Sequence, residues 1–448
     1  MKKISIYCKK HKLIILLGLV AFLFRLVISP LATHGDLTTQ AEWGAWMYAN
    51  GTRGLYDWNQ WISGYWPNHP PLISLVYLWA YQFHSFLMMC FSNIGNFIAL
   101  NRLAPTKFIW FFNFVRWFGE ARYENTYFLK GIVLSIKFMM MVADMVLAGI
   151  VYYWCRAKRV DWKKYVVAML FLPFSWYLSA IWGQSDQLSF IFLVLSFVLL
   201  NSSKKSWLSP LLFAIAVNLK PTGLILVPLY LWIWYKQRHS IYKLFLGGGL
   251  AYVFTIYIVS LFTAKPPLAY LLGEMTTRIF MTIKPLLHTN SFNFWYLVDN
   301  NRGILAETKY LFLSATSWGY LFYFFVSLVS FSVVRYKKLE SILASVFVSG
   351  FGGWLFMANM HERYVYAGLV SLLFLSIYKS KYYKYFVFLS TIFFVNIFWA
   401  FPVKTSPFIE NAIGFYRLLS LGNIVIYIIL VRMILKDFRQ KRRGAGCL

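Results

Sequence analysis

The chain has 448 residues, of which 60% are hydrophobic, 21% aromatic and only 13% charged, against about 25% charged in a soluble domain. With a mean hydropathy of +0.58, this excludes a soluble globular protein. It points to an all-α polytopic membrane protein, because lipid offers backbone polar groups no partner outside a helix or a closed barrel. The net charge of +29 first suggests nucleic acid, but its distribution argues against that. Lys and Arg sit in short clusters between apolar runs, where they fix topology and meet anionic headgroups.

The first apolar run, Leu13 to Leu31, follows Lys2, Lys3, Lys9, Lys10 and Lys12. A cleaved signal peptide has a shorter apolar region and a small-residue cleavage site, so this run reads as a retained first span. Next comes His34-Gly35-Asp36-Leu37-Thr38-Thr39-Gln40-Ala41-Glu42-Trp43, which puts Asp36 just outside the membrane. Glu42, Trp43, Trp46 and Met47 have the spacing of an amphipathic helix lying in the interface. In Tyr65-Trp66-Pro67-Asn68-His69-Pro70-Pro71-Leu72, the paired prolines forbid a helix before them and start one after.

Leu72 to Phe91 is long enough to cross, since a span needs about twenty residues. If it crosses, Arg156, Lys158, Arg159, Lys163 and Lys164 land outside, against the positive-inside rule. We therefore expect it in the outer interface, within one long outer loop, 32–126. Further spans are then expected at about 127–154, 165–181, 185–201, 207–219, 221–235, 243–262, 310–334, 340–358, 364–378, 384–400 and 416–435. That gives about twelve spans, with both termini cytoplasmic and a second large outer loop at 263–309. The four cysteines, Cys8, Cys90, Cys155 and Cys447, are scattered and suggest neither a disulfide framework nor a thiolate metal site. The whole chain, 1–448, reads as one membrane domain with no soluble C-terminal domain.

This topology, built without any functional assumption, gathers the unusual polar residues on the outer side, and polar groups at one membrane face suggest a site. Asp36 is a candidate general base, taking a proton from an acceptor hydroxyl as that oxygen attacks a sugar's anomeric carbon. A solvated interfacial carboxylate is the plain alternative, and Glu42 and Asp57 are the local rivals. Gly183-Gln184-Ser185-Asp186 makes a tight hairpin, for which Gly and Ser suffice. Asp186 at that depth still wants a partner, and Lys220 at the next outer hairpin is the candidate. Lys220 itself either snorkels or binds a phosphate. In His361-Glu362-Arg363-Tyr364, Arg363 is a natural phosphate clamp and His361 can donate to the same group. The pattern is not HExxH, so no zinc is read there. In the 263–309 loop, Lys265, Arg278, Lys284, Arg302 and Lys309 accompany Thr289-Asn290-Ser291-Phe292-Asn293-Phe294-Trp295. These can hold a lipid phosphate and a sugar ring, or form an ordinary interfacial loop. Lys137 and Asp144 share a helix face two turns apart, too far to pair, so Asp144 needs a partner from another helix.

Together these residues resemble the GT-C superfamily of polyprenol-phosphate-sugar-dependent glycosyltransferases, in order and over most of the chain. Gly35-Asp36 with Gln40 and Trp43, then Tyr65-Trp66 and Pro70-Pro71-Leu72, resemble the first outer loop of dolichyl-phosphate-glucose glucosyltransferases. His69-Pro70-Pro71-Leu72 also resembles protein O-mannosyltransferases, and Lys137 to Asp144 is similar to the second span of such enzymes. Trp182 to Asp186 and His361 to Tyr364 resemble motifs of bacterial members. The resemblance implies a GT-C fold, an interfacial helix after Pro71, and Asp36 at the position of the catalytic acidic residue. It implies inverting transfer of a hexose from a polyprenyl-phosphate sugar at the outer leaflet. The lipid monophosphate leaves readily where cations neutralise it. Donor contacts are expected from His69, Gln184, Asp186, Lys220, Arg278, His361, Glu362 and Arg363, with no metal or other cofactor. The expected partners are the donor lipid, a glycolipid or lipid-linked glycan acceptor, and membrane lipids, with no nucleic acid. A protein O-mannosyltransferase, a flippase or transporter of lipid-linked sugars, and a non-catalytic subunit are the alternatives. The site would face the exterior in a bacterium or the lumen of the endoplasmic reticulum in a eukaryote.

Overall fold

The computed structural model describes residues 11–61, 63–100, 113–116, 121–123, 127–277, 285–299, 303–401 and 413–439. These form an all-α, multi-pass membrane protein. In chain order its helices are α1 (Lys12–Ile28), α2 (Gly35–Asn50), α3 (Pro71–Leu100), α4 (Lys130–Ala157), α5 (Lys163–Phe171) and α6 (Pro173–Trp176). They continue with α7 (Asp186–Leu200), α8 (Ser209–Leu219), α9 (Val227–Lys236), α10 (Ile241–Ser260), α11 (Pro267–Tyr270) and α12 (Phe294–Asp299). The last five are α13 (Ala315–Val333), α14 (Leu339–Phe356), α15 (Tyr366–Tyr378), α16 (Tyr383–Ala400) and α17 (Ile413–Arg439). Two short antiparallel pairs, β1 (Ala121–Tyr123) with β2 (Tyr127–Leu129) and β3 (Lys309–Tyr310) with β4 (Leu313–Ser314), are the strands among the described residues.

Eight helices among the described residues are long and apolar enough to cross a membrane. The pair Lys163–Phe171 and Pro173–Trp182, bent by 42°, makes a ninth if counted as one. The bend has a local cause: Leu172 precedes a proline and is extended, with ψ 136°. The segments expected at 185–201, 207–219, 221–235 and 364–378 are helical but short, with 15, 11, 10 and 13 residues in α7, α8, α9 and α15. The stretch after the paired prolines is one helix of 30 residues.

Helix α2 differs from the interfacial helix read from its sequence. Glu42, Trp43 and Met47 are buried, in a core shared with α3 and the start of α4. Gly44 permits this, since a Cβ there would lie 2.7 Å from the Tyr77 carbonyl oxygen. The Glu42 carboxylate accepts a hydrogen bond from the Ser63 N–H at 3.1 Å. Glu42 is thus spent on fastening the loop to α2.

Arg25, Lys137 and Asp144, charges inside the spans, find partners within the protein. Arg25 of α1 donates to Asp144 of α4 at 3.1 Å, to the Leu170 carbonyl at 2.8 Å and to Ser175 Oγ at 3.0 Å. The Leu170 carbonyl sits at the break before Pro173, where extended Leu172 interrupts the helical ladder. Arg25 therefore both pairs with Asp144 and caps the broken helix. Lys137 Nζ donates to the carbonyls of Ser29 and Ala32, at 2.7 and 2.5 Å, at the end of the first span. These contacts fix the approach to Asp36.

Candidate active site

Asp36 occupies the first turn of α2. His34 caps this helix, with Nδ1 accepting from the Asp36 N–H at 3.1 Å. The same ring nitrogen lies 3.4 Å from the Asp36 carboxylate, and the ring packs on Phe401 and Trp182. Trp182 ends the helical turn that leads into Gly183, whose φ is +73°. A Cβ on Gly183 would sit 2.8 Å from both Leu37 methyls, so glycine lets this turn lie against the start of α2. Three residues on, Asp186 opens α7 and accepts from Lys220 Nζ at 2.5 Å. Lys220 ends α8, just before a 3₁₀ segment at Pro221–Leu226.

The hairpin between α14 and α15 completes the group. Arg363 Nη2 lies 3.8 Å from the Asp36 carboxylate, and Nη1 donates to Glu362 at 3.2 Å. Its guanidinium lies over the Trp182 ring, 5.3 Å from the centroid. His361 is braced through its backbone: its carbonyl accepts from Trp354 Nε1 at 2.9 Å, and it bridges to Thr289. His69, from the proline-rich loop, is hydrogen-bonded to the Tyr77 hydroxyl at 2.7 Å and meets the Trp43 ring edge-on. Of the predicted site residues, Asp36, His69, Gln184, Asp186, Lys220, His361, Glu362 and Arg363 therefore come together, while Arg278 lies outside the described residues.

The electrostatics divide the cluster into fixed charges and neutral donors. Burial works against the Asp36 anion, but the His34 contact and the Arg363 charge outweigh it and hold the carboxyl well below the usual range. The side chain stays 42% exposed: protein surrounds it, yet solvent reaches it. Arg363 is held firmly charged, because Glu362 and Asp36 overcome its burial. Burial first, then Arg363 and Lys220, push His69 down to about 4 and His361 down to about 3, with Asp36 opposing. Both rings are thus neutral at pH 7. Burial lowers Lys220 to about 8 against the pull of Asp186, and burial raises Glu362 against the pull of Arg363.

Three buried donors here make no hydrogen bond within the protein: Trp182 Nε1, Gln184 Nε2 and Arg363 Nε. Leaving such a group unpaired costs about 1–3 kcal/mol. Two cavities flank the cluster and share Pro221 and Leu224 as walls. One, of about 390 Å³, is an apolar groove that begins at Pro70 and Pro71, next to His69. The other, of about 540 Å³, has mixed walls and includes His361 and Tyr364.

His34 and Trp182 are the members that the sequence did not single out as contacts. Their signals were a polar residue at a helix N-cap and an aromatic beside a turn glycine. Within the 263–309 loop, residues 289–295 differ from their ligand-binding reading, while Lys284 and Arg302, like Arg278, lie outside the described residues. Ser291, Phe292 and Asn293 are fully buried, and Asn396 and Asn423 hold the backbone at Asn290 and Phe292. This stretch props the His361 hairpin from behind. Lys265 pairs with Glu274 and Asp57.

The fold and the cluster define a multi-pass helical membrane protein with a charged, cation-rich pocket beside an apolar groove. No family model matches the chain, and no curated protein matches it.

Proposed function

We propose that the protein is an inverting glycosyltransferase of the GT-C type, crossing the membrane twelve times. The passes are seven of the eight long helices, the bent pair, and the short helices α7, α8, α9 and α15, with the helix after Pro71 lying in the outer interface. It moves a hexose from a polyprenyl-phosphate sugar to a glycolipid or lipid-linked glycan. The observation that carries this reading is one solvent-reached carboxylate, Asp36, set against Arg363, Lys220 and three unpaired buried donors. A phosphate supplies the acceptor oxygens those donors lack, and Arg363 has the fork that matches it. The apolar groove starting at Pro70 suits an isoprenoid chain.

In the reaction an acceptor hydroxyl oxygen attacks the anomeric carbon. The bond from that carbon to the phosphate oxygen breaks, polyprenyl phosphate leaves with the electron pair, and the hydroxyl proton passes to Asp36. Asp36 paired with Arg363 is a weak base, since a good one titrates near the working pH. Phosphate drawing Arg363 toward itself would relieve that pairing and raise the basicity of Asp36 when the donor is bound. Neutral His361 can donate one N–H to the phosphate without changing the charge of the site.

The test is release of free polyprenyl phosphate by the purified protein from a panel of polyprenyl-phosphate sugars, with and without membrane lipid extract. Asp36→Asn should lower turnover about 100- to 10,000-fold and leave donor binding intact. Equal turnover in the variant would remove Asp36 from the chemistry, and binding of a donor without turnover of any would favour a carrier.

A further inference from the structure

The cavity of about 540 Å³ is not explained by the lipid or the phosphate. Its volume is in the usual range for small-ligand sites, about 300–1,000 Å³. Its walls combine Glu307, Thr316 and Asn359 with Tyr320, Trp354 and His361. Thr316 Oγ1 donates to the Glu307 carboxylate at 3.0 Å. Asn359 stands at φ +59°, held by its N–H to the Leu287 carbonyl at 3.0 Å, and its Oδ1 is buried with no partner. The wall is built: Leu287 donates to Ile304 at 2.7 Å, Ala306 donates to Pro285 at 2.6 Å, and Leu287, Ala306 and Ala358 bury together beneath it.

A carboxylate and an unpaired amide oxygen are acceptors, so the ligand should bring hydroxyl donors. Glu307 disfavours a second anion, which argues against phosphate here. A bare hydrocarbon chain would leave Asn359 Oδ1 unpaired. Indole and phenol rings offer flat apolar surface to the C–H faces of a sugar. Position supports the same ligand: His361 lines the cavity while Arg363, two residues on, reaches Asp36, and Pro221 lines it while Lys220 joins Asp186.

We propose that this cavity is a saccharide subsite, where Glu307 and Asn359 hold the hydroxyls of a neutral hexose unit between the aromatic walls. The inference rests on the transferase reading of the adjoining cluster. The hexose is either the sugar of the donor or a unit of the acceptor glycan.

The experiment is saturation-transfer NMR on the full-length protein in detergent micelles, titrated with methyl glucosides, methyl mannosides and their disaccharides, and with hexose 6-phosphates as charged controls. A neutral hexoside should bind. Glu307→Gln and Asn359→Gly, the latter tolerating the positive φ, should each weaken it at least about tenfold, the size of one lost charged or buried hydrogen bond. Undecaprenyl phosphate, titrated in parallel, should bind all three proteins alike. No hexoside binding at millimolar concentration, or binding indifferent to both variants, overturns the subsite. In the transfer assay, a raised KM for acceptor in Glu307→Gln assigns the cavity to the acceptor, and a raised KM for donor assigns it to the donor sugar. Variant-sensitive hexoside binding without turnover of any donor would keep the subsite and defeat the transferase reading.

Discussion

Replacing Arg25 by methionine removes the cation that pairs with Asp144 inside the membrane. Both side chains are buried, at 0% and 1% exposed, and the second Asp144 oxygen has no hydrogen-bond partner. Breaking one side of such a pair costs about 3–5 kcal/mol. The two single variants should not be equal. In Arg25→Met the orphaned carboxyl can take up a proton and shed its charge. In Asp144→Leu the guanidinium cannot lose one, so this variant should be the less stable. The double variant Arg25→Met/Asp144→Leu should recover most of the loss, because apolar replacement of a buried pair is close to neutral. It should stop roughly 1–3 kcal/mol short of the parent, the cost of one buried acceptor left unpaired at the Leu170 carbonyl. Detergent-titrated unfolding in mixed micelles of fixed lipid content reads all four proteins. Single variants within about 1 kcal/mol of the parent, or a double variant equal to the sum of the singles, would refute the pair as the clamp on the broken helix.

Gly183→Ala should cost roughly 1–2 kcal/mol for a left-handed residue, plus about 1–3 for crowding Leu37. Because Leu37 follows Asp36, transfer should fall while circular dichroism keeps the helix content. Unchanged turnover in Gly183→Ala would mean that the turn does not position Asp36. Lys220 gives a pH prediction. Its pKa of about 8 in the folded protein, against an ordinary 10.5, means the ammonium is lost as pH rises through 8. If only the charged form binds phosphate, donor affinity should fall about tenfold between about pH 7 and pH 9. Stability moves the other way: between about 8 and 10.5 the unfolded chain binds more protons, so this group's contribution to stability rises with pH. Lys220→Met should abolish that pH dependence of binding, and pH-independent binding in the parent would exclude the ammonium from the phosphate site.

What was readable in the sequence follows from where charge can sit. The Lys and Arg clusters gave each span an expected side, and the residues expected on the other side include those the structure draws together around Asp36. The Lys220–Asp186 pair was within reach because Asp186 opens one short apolar run and Lys220 closes the next, on the same expected face. The Arg25–Asp144 pair was not, although Asp144 visibly needed a partner. Its partner lies 119 positions away, in a run that reads simply as the first span, and one sequence carries no record of such pairings. The loop from Thr289 to Trp295 failed for another reason. Aromatic and polar residues in alternation look alike whether they face lipid headgroups or a protein core, and it is distant partners, Asn396 and Asn423 among them, that make this loop internal. The same ambiguity hid the burial of Trp43 and Met47 against α3.

The pairing of the intramembrane charges favours the proposed transferase over a carrier of lipid-linked sugars. A carrier needs ionisable groups along a path near the middle of the bilayer, free to change partners between its two states. Here Arg25, Asp144 and Lys137 are each bound to fixed acceptors or donors within the helix ends they support. Moving any of them would release a carbonyl at the end of the first span or at the Pro173 break. Around Asp36, Trp182 Nε1, Gln184 Nε2 and Arg363 Nε are left without a protein partner. Arg25, Asp144 and Lys137 therefore serve rigidity, and the unpaired donors around Asp36 stay available to the phosphate that the proposed transferase would bind. Such fixed intramembrane pairs suit the proposed transferase better than they suit alternating access.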